Sequence, residues 1–234
     1  EASSFSHPKR IDKINEDAIL PAFEVGGAIF LALADGVGGY YGGDIASHAA
    51  ISTIREKVLQ SPEMSIESIF NIVKKKMELL VQGNDELEKM ATTLIVCKIS
   101  KNGLEIANVG DSRAYWVEKN SIKKITTDHT QKQALIERGT FSKKELKGHH
   151  SGNVLTNSLR SSHDFRLDLF KKPLKTGSVI LMSDGAYRAI EETRVIGNNG
   201  ASDLMRICSN IKQRVLKNGP RDDYSLVAVS YECG

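Results

Sequence analysis

The sequence predicts an α+β fold: antiparallel sheets with helices outside, most simply two sheets face to face with a helix pair on each outer face. Three observations predict it. Residues 92–126 are a block of short apolar runs joined by tight turns, and meander connections of that kind are antiparallel. Residues 44–58 and 66–81 carry apolar side chains at helical spacing, so both helices need an apolar surface to cover. No repeat, low-complexity tract or linker interrupts the chain, so residues 1–234 are expected to form a single domain with a substantial core.

The elements follow in order. Residues 17–34 read as two strands around a Gly26-Gly27 turn, the second continuously apolar, as a strand covered on both faces should be. The glycines Gly36, Gly38, Gly39, Gly42 and Gly43 lead to a helix with Asp44 as its N-cap and Ala46, Ala50, Ile54 and Val58 facing the core. Ser65 caps a second helix with a stripe of Ile66, Ile69, Phe70, Val73, Met77, Leu80 and Val81. Strands are expected at Thr93–Ile99, Leu104–Val109, Arg113–Val117 and Ile122–Ile125, with turns at Asn102-Gly103, Gly110-Asp111-Ser112 and Lys119-Asn120. A short helix over 128–138 precedes a polar surface segment, 139–153. Strands near Arg166–Phe170 and Ser178–Met182, a helix over 202–217 and a last strand at Ser225–Tyr231 complete the reading.

Bulk properties exclude several classes. A net charge of +3 is too small to favour nucleic acid or a membrane surface, and Lys74 to Lys76 read as a solvated helix face. Cys97, Cys208 and Cys233 are widely spaced and contain no CxxC, which argues against a disulfide framework or a thiolate zinc site. No apolar run approaches the roughly 20 residues that cross a bilayer, and the first residues lack a signal-peptide pattern, so a cytoplasmic protein is expected.

Three acidic words remain: Ala34-Asp35-Gly36, Ser183-Asp184-Gly185 and Arg221-Asp222-Asp223. Asp35 ends the run Ile29–Ala34, Asp184 ends Val179–Met182, and Asp222 precedes Ser225–Val229. Set antiparallel in one sheet, these runs bring the three acids to one rim. Glu16-Asp17, opening the strand at Ala18, and Asp111, in a turn, follow the same placement, although a lone turn Asp more often bonds its own backbone. Clustered carboxylates repel unless a cation lies between them, and hard divalent ions prefer oxygen, so the pattern predicts a metal site. Gly36 is a candidate carbonyl ligand, because glycine admits close backbone approach. Two divalent ions about 3.5–4 Å apart can share a bridging hydroxide and clamp a phosphoryl group in an in-line displacement, with Asp35 as the natural bridge. Phosphate ester hydrolysis is therefore the first choice of reaction, with nuclease and other dimetal hydrolase readings open.

Nine words stand in a familiar order: Asn15-Glu16-Asp17, Asp35-Gly36-Val37-Gly38-Gly39, Gly43-Asp44-Ile45-Ala46-Ser47, Thr92-Thr93-Leu94, Asn108-Val109-Gly110-Asp111-Ser112-Arg113, Thr127-Asp128-His129, Asn153-Val154-Leu155-Thr156, Ser183-Asp184-Gly185 and Arg221-Asp222-Asp223-Tyr224-Ser225. Over roughly residues 5–231 the chain resembles the metal-dependent protein phosphatases of the protein phosphatase 2C class, in their compact bacterial form. The resemblance implies a four-layer αββα sandwich and a phosphoserine/phosphothreonine protein phosphatase. It implies two Mn2+ or Mg2+ ions and a third, weaker one, with phosphorylated proteins, the products of a Ser/Thr kinase, as substrates of a monomeric enzyme. By position, Asp35 would bridge the metals, Asp184 and Asp222 complete one, and the Gly36 carbonyl bind the other. Glu16 and Asp17 would hold metal-bound waters, Asp111 would help bind the third ion, and 139–153 would be the flap.

The chain departs from the pattern in three places. Asp12 stands where the family carries a phosphate-binding Arg, leaving Arg10 and Lys13 as candidates, Arg being the better bidentate ligand. Val37 fills the position of a His proposed as general acid in animal enzymes. Thr156-Asn157-Ser158-Leu159-Arg160 replaces Thr-Arg-Ala-Leu-Gly. His129, His149, His150 and His163 read as packing or hydrogen-bonding residues, since the site is otherwise all oxygen. A regulatory or phosphoprotein-binding protein of this fold without turnover is the alternative, and a nuclease would need a basic groove that the charge does not supply.

Overall fold

Two five-stranded antiparallel sheets stack face to face in the computed structural model, which describes residues 1–37, 41–118, 121–142, 145–146, 154–191 and 204–232. Gly38, Gly39, the Lys119-Asn120 turn, much of the expected flap with His149, His150 and Asn153, and Cys233 lie outside the described residues. The strands are β1 (Ala2–His7), β2 (Asp17–Val25), β3 (Ala28–Asp35), β4 (Ala91–Thr92), β5 (Leu94–Ser100), β6 (Gly103–Val109), β7 (Arg113–Glu118), β8 (Ser121–Lys124), β9 (Leu159–Arg160), β10 (Asp168–Lys172), β11 (Gly177–Met182) and β12 (Tyr224–Tyr231). The helices are α1 (Gly43–Gln60), α2 (Ile66–Val81), α3 (Gln131–Glu137), α4 (Asp184–Glu191) and α5 (Leu204–Asn218). One sheet has the order β10-β6-β5-β3-β2, the other β1-β12-β11-β7-β8, and β4 pairs β9 apart from both.

The alternation within each strand explains the layering. In β3, Leu31 and Leu33 point between the sheets, where they meet Ile95, Trp116, Leu181 and Val227. Phe30, Ala32 and Ala34 point the other way, onto Ala46, Ala50 and Ile54 of α1 and Phe70 and Val73 of α2. Both faces of β3 are thus covered, which is why its sequence is continuously apolar. On the far side, Ile180, Met182, Leu226 and Ala228 pack against α4 and α5 through Ala186, Tyr187, Ile207, Cys208 and Ile211. The β2–β3 hairpin closes over two residues, Gly26 and Gly27, with φ of 58° and 72°, the left-handed pair that a two-residue primed turn requires. The Ser65 side chain accepts from Ser68 N at the start of α2, as expected for its cap.

Several expectations are corrected. The strands carrying the three acids do not share one sheet: β11 and β12 are antiparallel neighbours in one, and β3 lies in the other. Asp44 is not the cap of α1. Gly42 occupies that position with φ 91°, a conformation that disfavours Asp, and Asp44 sits in the first turn. Gly110-Asp111-Ser112 is not a meander turn, because β6 pairs with β5 and β10 whereas β7 pairs with β11 and β8, so the segment crosses between sheets. Some elements escaped the sequence reading. β1 is a largely polar edge strand paired with β12, α4 follows β11 after one residue in a stretch given no element from the sequence, and β9 is a two-residue strand paired with β4.

Leu33 is fully buried between the sheets, whereas Leu59 is 53% exposed. Leu33→Ala is expected to cost about 2–5 kcal/mol, and Leu59→Ala within about 0.5 kcal/mol of nothing. Urea denaturation midpoints of the two variants check the ordering.

Candidate active site

Strand ends from both sheets open onto a single cleft of about 1230 Å3. β2 begins where β3 ends, with Asp17 and Asp35 as register partners. β11 stops one residue before Ser183, and Asp184 opens α4. Asp222 and Asp223 lead into β12, and Asp111 sits in the crossing from β6 to β7. Glu16, Asp35, Gly36, Asp44, Asp111, Asp184, Asp222 and Asp223 all line the cleft. Val37, Ile14, Tyr41, Ile45 and Leu155 add an apolar part, and Lys9, Arg10, Asp12 and Lys13 form one lip. Asp17 is not part of the cleft wall; it is buried behind it.

Local bonding fixes the backbones and leaves the carboxylates for the cleft. Asp35 N donates to Thr93 Oγ1 (3.1 Å), while its carbonyl accepts from Thr93 N (2.8 Å) and Thr92 Oγ1 (3.0 Å). Gly36 N donates to the Glu16 carbonyl at 3.1 Å. A Cβ on Gly36 would lie 2.5 Å from the Gly43 carbonyl oxygen and 2.8 Å from that of Glu16, so only glycine fits between them. Gly185 is constrained likewise, since its Cβ would run into the Asp223 carbonyl. The Ser183 hydroxyl donates to Asp17 Oδ2 (2.8 Å) and accepts from Ser225 N (2.9 Å), tying the two sheets together behind the cleft. Asp223 accepts from Lys9 N (2.7 Å) and Glu16 N (2.6 Å), clamping both ends of the lip. The Asp111 turn is held by buried His129, whose N donates to the Gly110 carbonyl and whose Nδ1 accepts from Gly110 N, each at 3.0 Å. Its Nε2 lies 3.0 Å from Asp168 Oδ2, at an angle short of a hydrogen bond. His129 is thus a hydrogen-bonding residue, and Asn157, in the divergent 156–160 word, approaches the same Nδ1 at 2.7 Å.

Sequence reasoning gave no role to Thr93, Ser183, Asp223 or Arg188. Arg188 reaches Asp184 Oδ2 at 2.5 Å, one helical turn away. The doublet Asp222-Asp223 and the i,i+4 spacing of Asp184 and Arg188 were the available signals. The two proposed phosphate ligands both line the cleft, but Arg10 is engaged by Asp12.

Burial and mutual charge raise the proton affinity of the cluster. Asp35 is pushed well above the ordinary carboxylate range by burial and then by Asp17, Asp184, Asp111 and Asp222. Asp17 and Asp111 are each raised to about 7, chiefly by burial. Asp184 is raised by burial against the opposing charge of Arg188, and Glu16 by burial and then Asp223, Asp44 and Asp222.

The donor chemistry fits hard divalent cations. Every side-chain donor is a carboxylate, the Gly36 carbonyl is available, and buried Asp17 Oδ1 has no hydrogen-bond partner. Among the described residues no three His, Cys, Asp or Glu side chains stand close enough together to hold an ion as they are placed, although the acids line one cleft. Also among the described residues, no helix is long and apolar enough to cross a membrane.

The family model "Protein phosphatase 2C" matches residues 7–218. Serine/threonine phosphatase stp of Listeria welshimeri is 30% identical over 172 residues, spanning 70% of this chain and 68% of that protein. The serine/threonine phosphatase Stp1 from Staphylococcus aureus superposes with a TM-score of 0.87 at 24% identity, covering 100% of this chain and 95% of that one. The catalytic domain of the phosphatase PstP, solved in complex with two manganese ions, superposes with a TM-score of 0.76 at 22% identity, covering 100% and 98%.

The raised carboxylates predict a pH dependence of stability. An unfolded Asp loses its proton near 3.9, whereas folded Asp17 and Asp111 keep theirs up to about 7. In that window the folded state binds more protons, so this contribution to stability is present at the acid end and is lost as pH rises through 7. In chelator, the melting temperature of the wild type should therefore fall more between about pH 5 and pH 8 than that of Asp17→Asn. Parallel curves for the two proteins would rule this out.

Proposed function

The chain belongs to the protein phosphatase 2C family, and from that premise we propose that it hydrolyses phosphoserine and phosphothreonine in proteins with the help of divalent metal ions. The observation that carries the reading is the convergence of Glu16, Asp35, Asp111, Asp184 and Asp222 on one cleft from the ends of strands in both sheets.

In this reading Asp35, Asp184, Asp222 and the Gly36 carbonyl would hold two Mn2+ or Mg2+ ions, Asp35 being the candidate ligand common to both. Asp111, with Asp184, would help to hold a third. Glu16 at the cleft wall and Asp17 behind it act through water. When bound, the ions supply a nucleophile at neutral pH and offset the charge of the phosphoryl oxygens. The protein holds its own contribution ready beforehand. Thr92 and Thr93 fix the Asp35 backbone, so its carboxylate is aimed before substrate arrives. The Arg188 guanidinium holds Asp184 in one orientation. Val37, Ile45 and Leu155 keep part of the cleft apolar, which strengthens electrostatic contacts to a bound phosphate. Arg10 and Lys13 on the lip offer the cationic groups to receive it, and Val37 offers no proton to a leaving alkoxide.

We further read residues 1–234 as one catalytic domain, acting in the cytoplasm as a monomer on the products of a Ser/Thr kinase, with 139–153 as a flap. The manganese ions of the PstP structure and the phosphatase names of the relatives support the choice of metal and substrate. A phosphoprotein-binding protein without turnover is the competing reading, favoured by the absence of an arginine at position 12, where Asp12 stands and engages Arg10.

Phosphate release from p-nitrophenyl phosphate and a phosphothreonine peptide should require Mn2+ or Mg2+. Asp35→Asn should lower it by more than about 100-fold, beyond the 10- to 100-fold that a group supporting a ligand commands. Metal-independent turnover, or a fully active Asp35→Asn, would sink the proposal. Tight peptide binding without release would select the competitor.

A further inference from the structure

The lip from Lys9 to Glu16 is fixed to the site at both of its ends by one carboxylate, that of Asp223, which neighbours Asp222. Within it, Lys13 N donates to the Arg10 carbonyl at 3.0 Å, closing a turn that brings the side chains at 10 and 12 together. Arg10 Nε and Nη2 donate to Asp12 Oδ1 and Oδ2 at 3.0 and 2.9 Å, a two-pronged contact of the kind a guanidinium also makes with phosphate. Both side chains are exposed, 65% and 55%, and both line the cleft.

We propose that Arg10 is the phosphate-receiving residue and that Asp12 is a stand-in for the phosphate, holding Arg10 at the lip until substrate displaces it. The inference rests on the phosphatase reading above. Three arguments carry it. Among the described residues lining the cleft, the basic ones are Lys9, Arg10 and Lys13, and Arg10 alone has the planar fork that matches a phosphoryl group. An exposed ion pair is weak, so it exchanges readily, and a phosphomonoester with about two negative charges outcompetes a single carboxylate. Finally, a guanidinium with no local partner would be drawn onto the acids of the cleft wall, where it would compete with metal. Asp12, two residues away, offers the fork a partner at the lip instead.

A double-mutant cycle on a phosphothreonine peptide with Mn2+ tests this. Asp12→Asn should lower KM about two- to fivefold, the range open to an exposed ion pair. Arg10→Ala should raise KM by about fivefold or more, the strength of a charge-assisted contact being at stake. In the Arg10→Ala background Asp12→Asn should have no further effect, and inhibition by inorganic phosphate should follow the same order. The proposal falls if Asp12→Asn lowers KM equally without Arg10, since the carboxylate would then act only by general repulsion. It falls also if Lys13→Ala raises KM while Arg10→Ala does not. Should the wild type show no Mn2+-dependent turnover, the phosphatase reading fails by itself. The same cycle is then read from calorimetric binding of the phosphopeptide, with the same pattern upholding the exchange and its absence overturning it.

Discussion

The burial and mutual repulsion of carboxylates gathered at one rim are the constraint on which the rest of this structure turns. Asp17, Asp35, Asp111 and Asp184 are all held where burial and mutual charge favour protonation. Nothing in their own chemistry keeps them together. The two stacked sheets do so, because their strand ends meet at the same edge of the sandwich and their large apolar cores stabilise that meeting. The site is a locally unfavourable arrangement carried by favourable packing elsewhere.

The means of holding it are backbone contacts that tolerate no side-chain bulk. Gly36 lies against the carbonyls of Gly43 and Glu16, and Gly185 against Asp223. Each glycine follows a proposed ligand, so the approach of chain to chain also fixes where the carboxylate can go. Hydroxyls and one extra acid complete the frame: Thr92 and Thr93 on Asp35, Ser183 on Asp17, and Asp223 on the lip. Asp223 is closest in sequence to a ligand yet spends its charge on two backbone N–H groups. The cationic side of the balance is just as local, with Arg188 one turn from Asp184 and Arg10 two residues from Asp12. Each of these basic side chains thus pairs with a carboxylate close by in the chain, Arg188 with an acid of the cleft itself and Arg10 with one on its lip.

Strongly patterned elements could be read in advance. The amphipathic stripe of α2 with its Ser65 cap, the Gly26-Gly27 hairpin and the doubly covered β3 all follow from local spacing, and each appears where expected. β1 did not declare itself, because a polar edge strand owes its existence to pairing with β12, more than 200 residues away. The cap of α1 was misread for a related reason. Asp44 has the right chemistry for a cap, but the chain must first turn through a left-handed residue packed near Leu87 and Met90, which only Gly42 supplies.

The sequence by itself determined the inventory: an all-oxygen set of acids at strand ends, glycines beside two of them, and no arginine at position 12. Spacing and residue type suffice for this because side-chain chemistry and the run of a strand are local properties. Only the tertiary structure decided that the acids come from two sheets, that Asp17 stands behind the cleft and Glu16 within it, and that Arg10 is held by Asp12. Those outcomes depend on which strands pair and on how the sheets stack. Both are set by contacts between residues far apart in the chain, whose closing no local pattern can specify.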